Sequence, residues 1–255
     1  MANDRKLNEV SQLTDFDYAL VVKGNDVAKV TKAQIASIVG GLIGVKGQDI
    51  DAINDGVFVM YHRKSDDYPL MVKPHKWTGT QNGGEIADGV AVVEGGKILV
   101  VAPTESTNKL YWSSAYVSAG GKTTADRLTA LDDWTGKANT AEQIKHAECS
   151  GASYAPGFCA QYSRTNVNGK GLTAGKWWLP SEGELIMIYA NMRKINYALS
   201  KISGATQLAE DWYWSSTEYS ASYAWGLYLS DGYAGYWYAK ASIRCRVRAV
   251  SAFII

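Results

Sequence analysis

Histidine and cysteine are scarce in this chain. Three of each occur in 255 residues, His62, His75 and His146 and then Cys149, Cys159 and Cys245, and neither set has the spacing of a metal site. The odd cysteine count leaves two readings open: three buried reduced thiols, or a Cys149–Cys159 disulfide with one thiol over. An excess of charge is lacking too. Lysine and arginine total 26 against 25 aspartates and glutamates, a net charge of +1, which argues against a nucleic-acid-binding surface. The longest apolar stretch near the N-terminus, "IASIVGGLIGV" (Ile35–Val45), falls far short of the ~20 residues that cross a bilayer. The opening "MANDRKLNEVSQLTDFDY" is charged and lacks the apolar centre of a secretory leader, so synthesis and folding in a cytoplasm are expected.

Recognisable catalytic motifs are missing as well. The chain has no glycine-rich phosphate loop, no His-Glu-x-x-His helix and no nucleophile elbow. The adjacent acids Asp66-Asp67 and Asp132-Asp133 read as solvated charges. Glu182 and Glu184 fit helix capping and the helix dipole better than acid–base work. His146 lies near Cys149, but two groups make no metal site.

Aromatic residues are what the chain does have, and they are unevenly placed. Tyr213, Tyr219, Tyr223, Tyr228, Tyr233, Tyr236 and Tyr238 crowd one late stretch among serine, glycine and alanine. Tyrosine offers large, rigid, amphipathic contact area at low entropic cost, and serine and glycine offer adaptable spacing, a composition shared with antibody paratopes. "SDGYAGYWYAKAS" has no clean period of two, so much of it is expected to face solvent. Trp214 and Trp225 read as buried framework, and Trp237 fits either role.

Three textures divide the chain. Residues 1–47 read as a strand (Tyr18–Gly24), a turn, a returning "VAKV" and a short helix capped by Thr31, too little to hold a core alone. From residue 48 onward one main domain is expected. It opens on the strand-like runs "GVFVMYHR", "YPLMVKP", "GVAVVEGG" and "KILVVAP". Helices follow at "TTADRLTALDDW" and at "NTAEQIKHA", where Thr140 and Gln143 have capping-box spacing. The strongest helix is "LPSEGELIMIYANMRKINYALSKI", with Ser181 and Glu184 as its capping box and Leu185, Ile188, Met192, Ile195 and Leu199 as its core stripe. "LYWSSAY" (Leu110–Tyr116) is echoed by "WYWSSTEY" (Trp212–Tyr219), which fits two strand ends with like roles. In the closing "SIRCRVRAV", Arg244, Arg246 and Arg248 share one strand face and Cys245, Val247 and Ala249 the other. Pairing of these arginines with acids such as Glu218 or Asp231, or with a neighbouring subunit, is expected over a nucleic-acid role.

Taken in order, "GKWWLPSEGELIMIYANMRKINYALSKI", "YWSSTEY", "AW" and a Tyr/Ser-rich stretch closing on "RVRAV" resemble the variable proteins of diversity-generating retroelements. "GVAVVEGGKILVVAPTES", "LYWSSAY" and "ALDDWTGKANTAEQI" are similar to the same group, so the resemblance runs from about Gly56 to the C-terminus. It implies an α+β C-type lectin fold of the formylglycine-generating-enzyme branch, with two main helices and short antiparallel strands in residues 48–255 and a variable region at about 213–250. In that family a reverse transcriptase miscopies template adenines, so that Asn codons become NNY codons, which never encode Trp, Glu, Gln, Met or Lys. The resemblance therefore implies ligand-binding variable positions at Ser220, Ser222, Tyr223, Gly226, Tyr228, Ser230, Asp231, Tyr233, Gly235, Tyr236 and Tyr238, with Ala241 and Ser242 as further sites. Trp225, Trp237 and Lys240 fall outside NNY coding.

The first forty residues resemble the leaders of phage tail-fibre and receptor-binding proteins. Together the two resemblances imply a tail adhesin, assembled in the host cytoplasm and carried on the virion, whose residues 1–47 attach to other tail proteins or serve oligomerisation. Its partner would be a bacterial surface receptor, protein or glycan, and its assembly a homotrimer without membrane insertion or nucleic-acid contact. A cell-encoded surface adhesin or ligand-binding module of the same fold is the alternative. The Glu-Pro-Asn, Gln-Pro-Asp and Trp-Asn-Asp triplets of calcium-dependent sugar-binding lectins are absent, and the three cysteines do not supply the reactive pair of formylglycine generators. No metal, no cofactor and no enzymatic activity are expected.

Overall fold

A computed structural model describes residues 18–23, 26–31 and 55–252. The chain divides into two units, Met1–Ile53 and Asn54–Ile255. The first contains an antiparallel hairpin of β1 (Tyr18–Lys23) and β2 (Asp26–Thr31), with Lys23 opposite Asp26 across the turn. The helix expected after Thr31 lies outside the described residues.

The second unit mixes helices with antiparallel sheet, an α+β architecture. Its centre is a five-stranded sheet in the order β14-β6-β5-β3-β4, built from β3 (Gly56–His62), β4 (Pro69–Val72), β5 (Ala87–Glu94), β6 (Lys97–Val101) and β14 (Val250–Ser251). The four strand-like runs of the sequence account for β3 to β6. Helix α1 (Pro74–Asn82), which interrupts them, was not anticipated. Only Pro74 and Trp77 of it are buried, so it leaves almost no periodic signature, although proline in a first turn is a common helix start.

Both faces of this sheet are covered, which explains the almost continuous apolar run of β5. Val57, Val59, Val90, Val92, Leu99 and Val101 pack into one core with the helical residues Leu185, Ile188, Ile195 and Leu199. Met60, Ala91 and Val100 alternate to the other face and join Trp112, Leu172, Trp177, Leu179, Trp214 and Val247. The period of two in the strands thus divides the interior into two layers.

The expected long helix forms as two. Helix α6 (Glu182–Ala190) starts at the capping box of Ser181 and Glu184, with the Glu184 carboxylate accepting from the Ser181 N–H at 2.9 Å. Asn191 ends it, donating to Glu94 Oε2 at 2.7 Å, and α7 (Met192–Leu199) resumes. Leu185, Ile188, Ile195 and Leu199 are buried, with Met192 partly so. The two earlier helices are displaced from their expected limits. Helix α2 (Arg127–Leu131) is capped by Asp126, which accepts from Thr129 N–H at 2.7 Å. Helix α3 (Gly136–Gln143) begins four residues before Thr140, so Thr140 and Gln143 form no capping box. Both are buried instead, Thr140 accepting from Leu179 N–H at 3.0 Å and Gln143 donating to Ser216 O at 2.6 Å. Two short helices, α4 (Ala147–Ser150) and α5 (Ala155–Gln161), follow, then the pair β8 (Arg164–Thr165) and β9 (Gly171–Leu172).

Candidate functional site

The tyrosine-rich stretch folds as a three-stranded antiparallel sheet of β10 (Trp212–Glu218), β11 (Tyr223–Tyr228) and β12 (Tyr233–Ala239). Tyr213, Leu227 and Ala234 stand in register and enter the first core. Their neighbours Trp212, Tyr228 and Tyr233, also in register, therefore point to the opposite side. There Trp212 stacks on Tyr228 with centroids 5.2 Å apart, and Tyr238 and Tyr233 close around it at 4.5 and 6.1 Å. A second group joins Tyr219, Tyr236 and Trp225, with Tyr219 and Tyr236 stacked at 4.3 Å and 11°. Such offset aromatic contacts add to area burial and hold the rings in fixed orientations.

The residues expected to vary separate into three groups. Tyr223, Tyr233 and Tyr236 are exposed by 39, 38 and 40%, and Ser230 and Asp231 are exposed beside them. Ser220, Ser222, Tyr228 and Tyr238 are half-buried. Gly226 and Gly235 are buried. They are paired across β11 and β12, and a Cβ on Gly226 would stand 2.9 Å from the carbonyl oxygen of Tyr213. Two polar positions also serve the backbone. Ser220 Oγ accepts from Ser222 and Tyr223 N–H at 3.2 and 3.3 Å, and Asp231 accepts from Tyr233 N–H at 2.9 Å.

The framework beneath is fixed by buried polar contacts. Trp214 and Trp225 are each 1% exposed, and Trp225 Nε1 donates to Thr124 O at 2.9 Å. The side chain of Trp237 lies outside the described residues. The sequence near-repeat meets itself in space: Trp112 of the first copy donates to Ser215 O at 2.9 Å, and Trp214 of the second donates to Leu110 O at 2.8 Å. Two like segments thereby satisfy each other's backbone. Lys240 is fully buried and reaches Glu218, also fully buried, and Val117 O at 2.8 Å, with its ammonium 4.4 Å from the Trp112 ring centroid. Burial pulls the Lys240 ammonium below its ordinary range, against the opposing pull of Glu218.

The arginines of the closing segment do not share one fate. Only Arg244–Cys245 forms a strand, β13, paired with β7 (Leu110–Tyr111). Arg248 is 1% exposed and donates to Ala102 O at 3.0 Å, Thr206 O at 3.0 Å and Glu105 at 3.2 Å. Arg246 pairs with Asp211 at 3.0 Å and with Glu105. The acid partners are thus Glu105 and Asp211; Glu218 is engaged by Lys240, and Asp231 holds a turn. Cys245, Val247 and Ala249 do enter the second core.

Among the described residues no group of three or more His, Cys, Asp or Glu side chains is arranged to hold a metal ion. All three cysteines are free and buried, so the disulfide alternative does not hold. Burial pushes the thiols of Cys149 and Cys245 up to about 12 and raises that of Cys159 well above the usual range. Glu182 is fully buried, its N–H donating to Thr217 Oγ1 at 3.0 Å. Neither of its carboxylate oxygens has a well-formed hydrogen bond among the described residues. Burial raises its carboxyl from 4.5 to about 8, only partly countered by nearby Ser215 and Arg127. Glu184 is raised to about 7, first by burial, with its bonds to Ser181 and Trp178 acting the other way.

A family model described as the Lcl C-terminal domain matches residues 122–251. The chain belongs to that family. The Lcl C-terminal domain match takes in α2 to α7 and all of β10, β11 and β12, and leaves the strands β3 to β7 ahead of it. No curated protein matches the chain. Among solved structures, a fimbrial protein from Bacteroides ovatus is similar to it at 17% identity and a TM-score of 0.43, over 78% of this chain and 49% of that one. The chain thus spans about half the length of that fimbrial protein. No helix among the described residues of this Lcl C-terminal domain protein is long and apolar enough to cross a membrane.

One residue central to the aromatic surface was missed in the sequence. Trp212 lies outside NNY coding and next to two residues that are buried, so composition gave no reason to place it outward. Alternation along "WYW" was the available signal, because a buried Tyr213 puts Trp212 on the other side.

Proposed function

We propose that the chain is a phage tail adhesin that binds a host bacterial surface ligand through the aromatic surface of β10 to β12. The observation that carries this reading is the contrast within one sheet. Tyr223, Tyr233 and Tyr236 stand about two-fifths exposed, while Trp214, Trp225, Glu218 and Lys240 are buried and tied down. A rigid platform with large adaptable side chains on top is the arrangement used for recognition by pre-organised contact. In this reading the fold is of the C-type lectin type, the exposed tyrosines are products of retroelement diversification, and the protein acts as a trimer. Several copies on one virion would turn a weak contact into avidity.

Binding rather than catalysis is the proposed mode of action. Thiols pushed up by burial are poor nucleophiles at neutral pH, which speaks against oxidative cysteine chemistry. Oxidation of a cysteine-containing peptide by the purified protein would overturn this.

The decisive experiment pairs DNA sequence with binding. An adenine-rich, near-identical copy of the codons for residues 213–250, beside a reverse-transcriptase gene and tail genes, is expected. The doubly substituted Tyr223→Ser, Tyr236→Ser protein is expected to lose at least tenfold in binding to host surface fractions while melting at the temperature of the parent. Unchanged binding by that variant sinks the surface assignment. Absence of the template copy sinks diversification, and a gene far from tail genes redirects the reading to a cell-encoded adhesin.

A further inference from the structure

Of the three arginines in the closing segment, Arg244 alone pairs with no carboxylate among the described residues. It lies on the edge pair β7–β13, directly opposite Tyr111, and its guanidinium stands 4.4 Å from the Tyr111 ring centroid. Tyr111 in turn bridges to Tyr154 in parallel register, so two tyrosines and an arginine are fixed by backbone pairing. These residues, with Asn108, Lys109 and Ser153, line an open cavity of about 520 Å³. That volume falls within the range of small-ligand sites, about 300–1,000 Å³.

Two cations line the cavity, Lys109, which pairs with Asp211, and Arg244. Arg244 is exposed. The Arg244 guanidinium stands over the Tyr111 ring, and an arginine fork can grip a carboxylate by two parallel hydrogen bonds. Tyr154, Asn108 and Ser153 line the cavity beside it, and the last two carry polar side chains of the kind that meet hydroxyl and amide groups.

We infer that the cavity between β7, β13 and the Ser153–Tyr154 turn is a binding site for a carboxylate-bearing monosaccharide, with Arg244 as the carboxylate anchor. The site is separate from the exposed tyrosines Tyr223 and Tyr236, and it stands whether or not those residues vary. Its wall is tied to the aromatic sheet through the buried Trp214. Leu110 of its wall accepts from Trp214 Nε1, and the Trp214 ring lies 6.1 Å from Tyr238.

The test is calorimetric titration of the full chain with glucuronate and N-acetylneuraminate, with glucose, N-acetylglucosamine, inorganic sulfate and a short acidic peptide as comparators. Saturable binding of at least one sugar acid is expected, at least tenfold tighter than each of the comparators. Arg244→Ala is expected to weaken it tenfold or more, and Arg244→Lys, which keeps the charge but not the fork, to weaken it several-fold. Because Arg244 is exposed, both variants should melt with the parent. Tyr111→Ala is a second variant with the same expected loss. The Tyr223→Ser, Tyr236→Ser protein should bind the sugar acid unchanged, which separates this site from the proposed receptor surface. The inference is overturned by no sugar-acid binding, by equal binding of any comparator, by undiminished binding in Arg244→Ala, or by loss in the tyrosine variant.

Discussion

Lys240 and Glu218 form an ion pair with both side chains fully buried, and it ties the end of β12 to the end of β10. Glu218 also accepts from the N–H groups of Ala119 and Gly121 at 3.1 and 3.2 Å. The pair therefore fastens the 117–121 loop to the sheet that bears the exposed tyrosines. Lys240→Met is expected to destabilise the protein by about 3–5 kcal/mol, because the carboxylate is left buried without its counter-charge. The double variant Lys240→Met, Glu218→Leu should recover only part of this, since the two backbone donors remain orphaned. Urea denaturation of the three proteins reads both outcomes, and full recovery in the double variant would contradict the anchoring role.

Exchangeability should differ among the residues expected to vary. Tyr223→Ser replaces a side chain 39% exposed and should change stability by no more than about 0.5 kcal/mol. Gly226→Ser is equally accessible by codon, but its Cβ meets the Tyr213 carbonyl oxygen at 2.9 Å. A cost of about 1–3 kcal/mol is expected from the forced shift of the strand. Thermal melts of the two single variants decide it; equal stability would show that the sheet yields freely at Gly226.

Stability should fall as pH rises from mildly acidic to mildly basic. The Glu182 carboxyl is raised from 4.5 to about 8 in the folded chain, so between those values the folded state keeps a proton that the unfolded state has released. More protons on the folded state means that raising pH favours unfolding. The stabilisation is complete below about 4.5 and is lost as pH rises through about 8, a change of a few kcal/mol. Glu184, raised to about 7, acts in the same direction. Glu182→Gln should flatten the dependence between pH 5 and pH 8.5, measured as urea midpoints; an unaltered slope would assign the effect elsewhere.

Thiol reactivity should be silent until unfolding. All three cysteines are buried and free, with their thiols raised by loss of water. Ellman's reagent is expected to titrate no thiol in the native protein and three in 6 M guanidinium, without any reductant. Only one thiol released in denaturant would reveal a disulfide.

Local pattern was enough for the parts of this protein whose signal is local. The apolar runs of β3 to β6, the capping box at Ser181 and the stripe from Leu185 to Leu199 follow from side-chain period and backbone capping, and these are properties of neighbours in the chain. The burial of Trp214 and Trp225 was legible for a similar reason, because a tryptophan set among strand-like residues has few other places to go. Amino-acid composition marked out the stretch from Tyr213 to Val250 as the candidate surface.

Partners distant in sequence were decided by tertiary structure alone. Thr140 and Gln143 sit at capping-box spacing, yet the packing of α3 under Leu179 and Ser216 claims both side chains. Arg246 and Arg248 found Glu105 and Asp211 rather than Glu218 or Asp231, since the chain ahead of β7 and the segment before β10 converge on them. Of two residues expected to vary, Gly226 is walled in by Tyr213 while Tyr223 is 39% exposed. A residue's chemistry is carried by the sequence, but its exposure and its counter-charge depend on which remote backbone lies against it, and that is fixed only when the two cores close around the sheet.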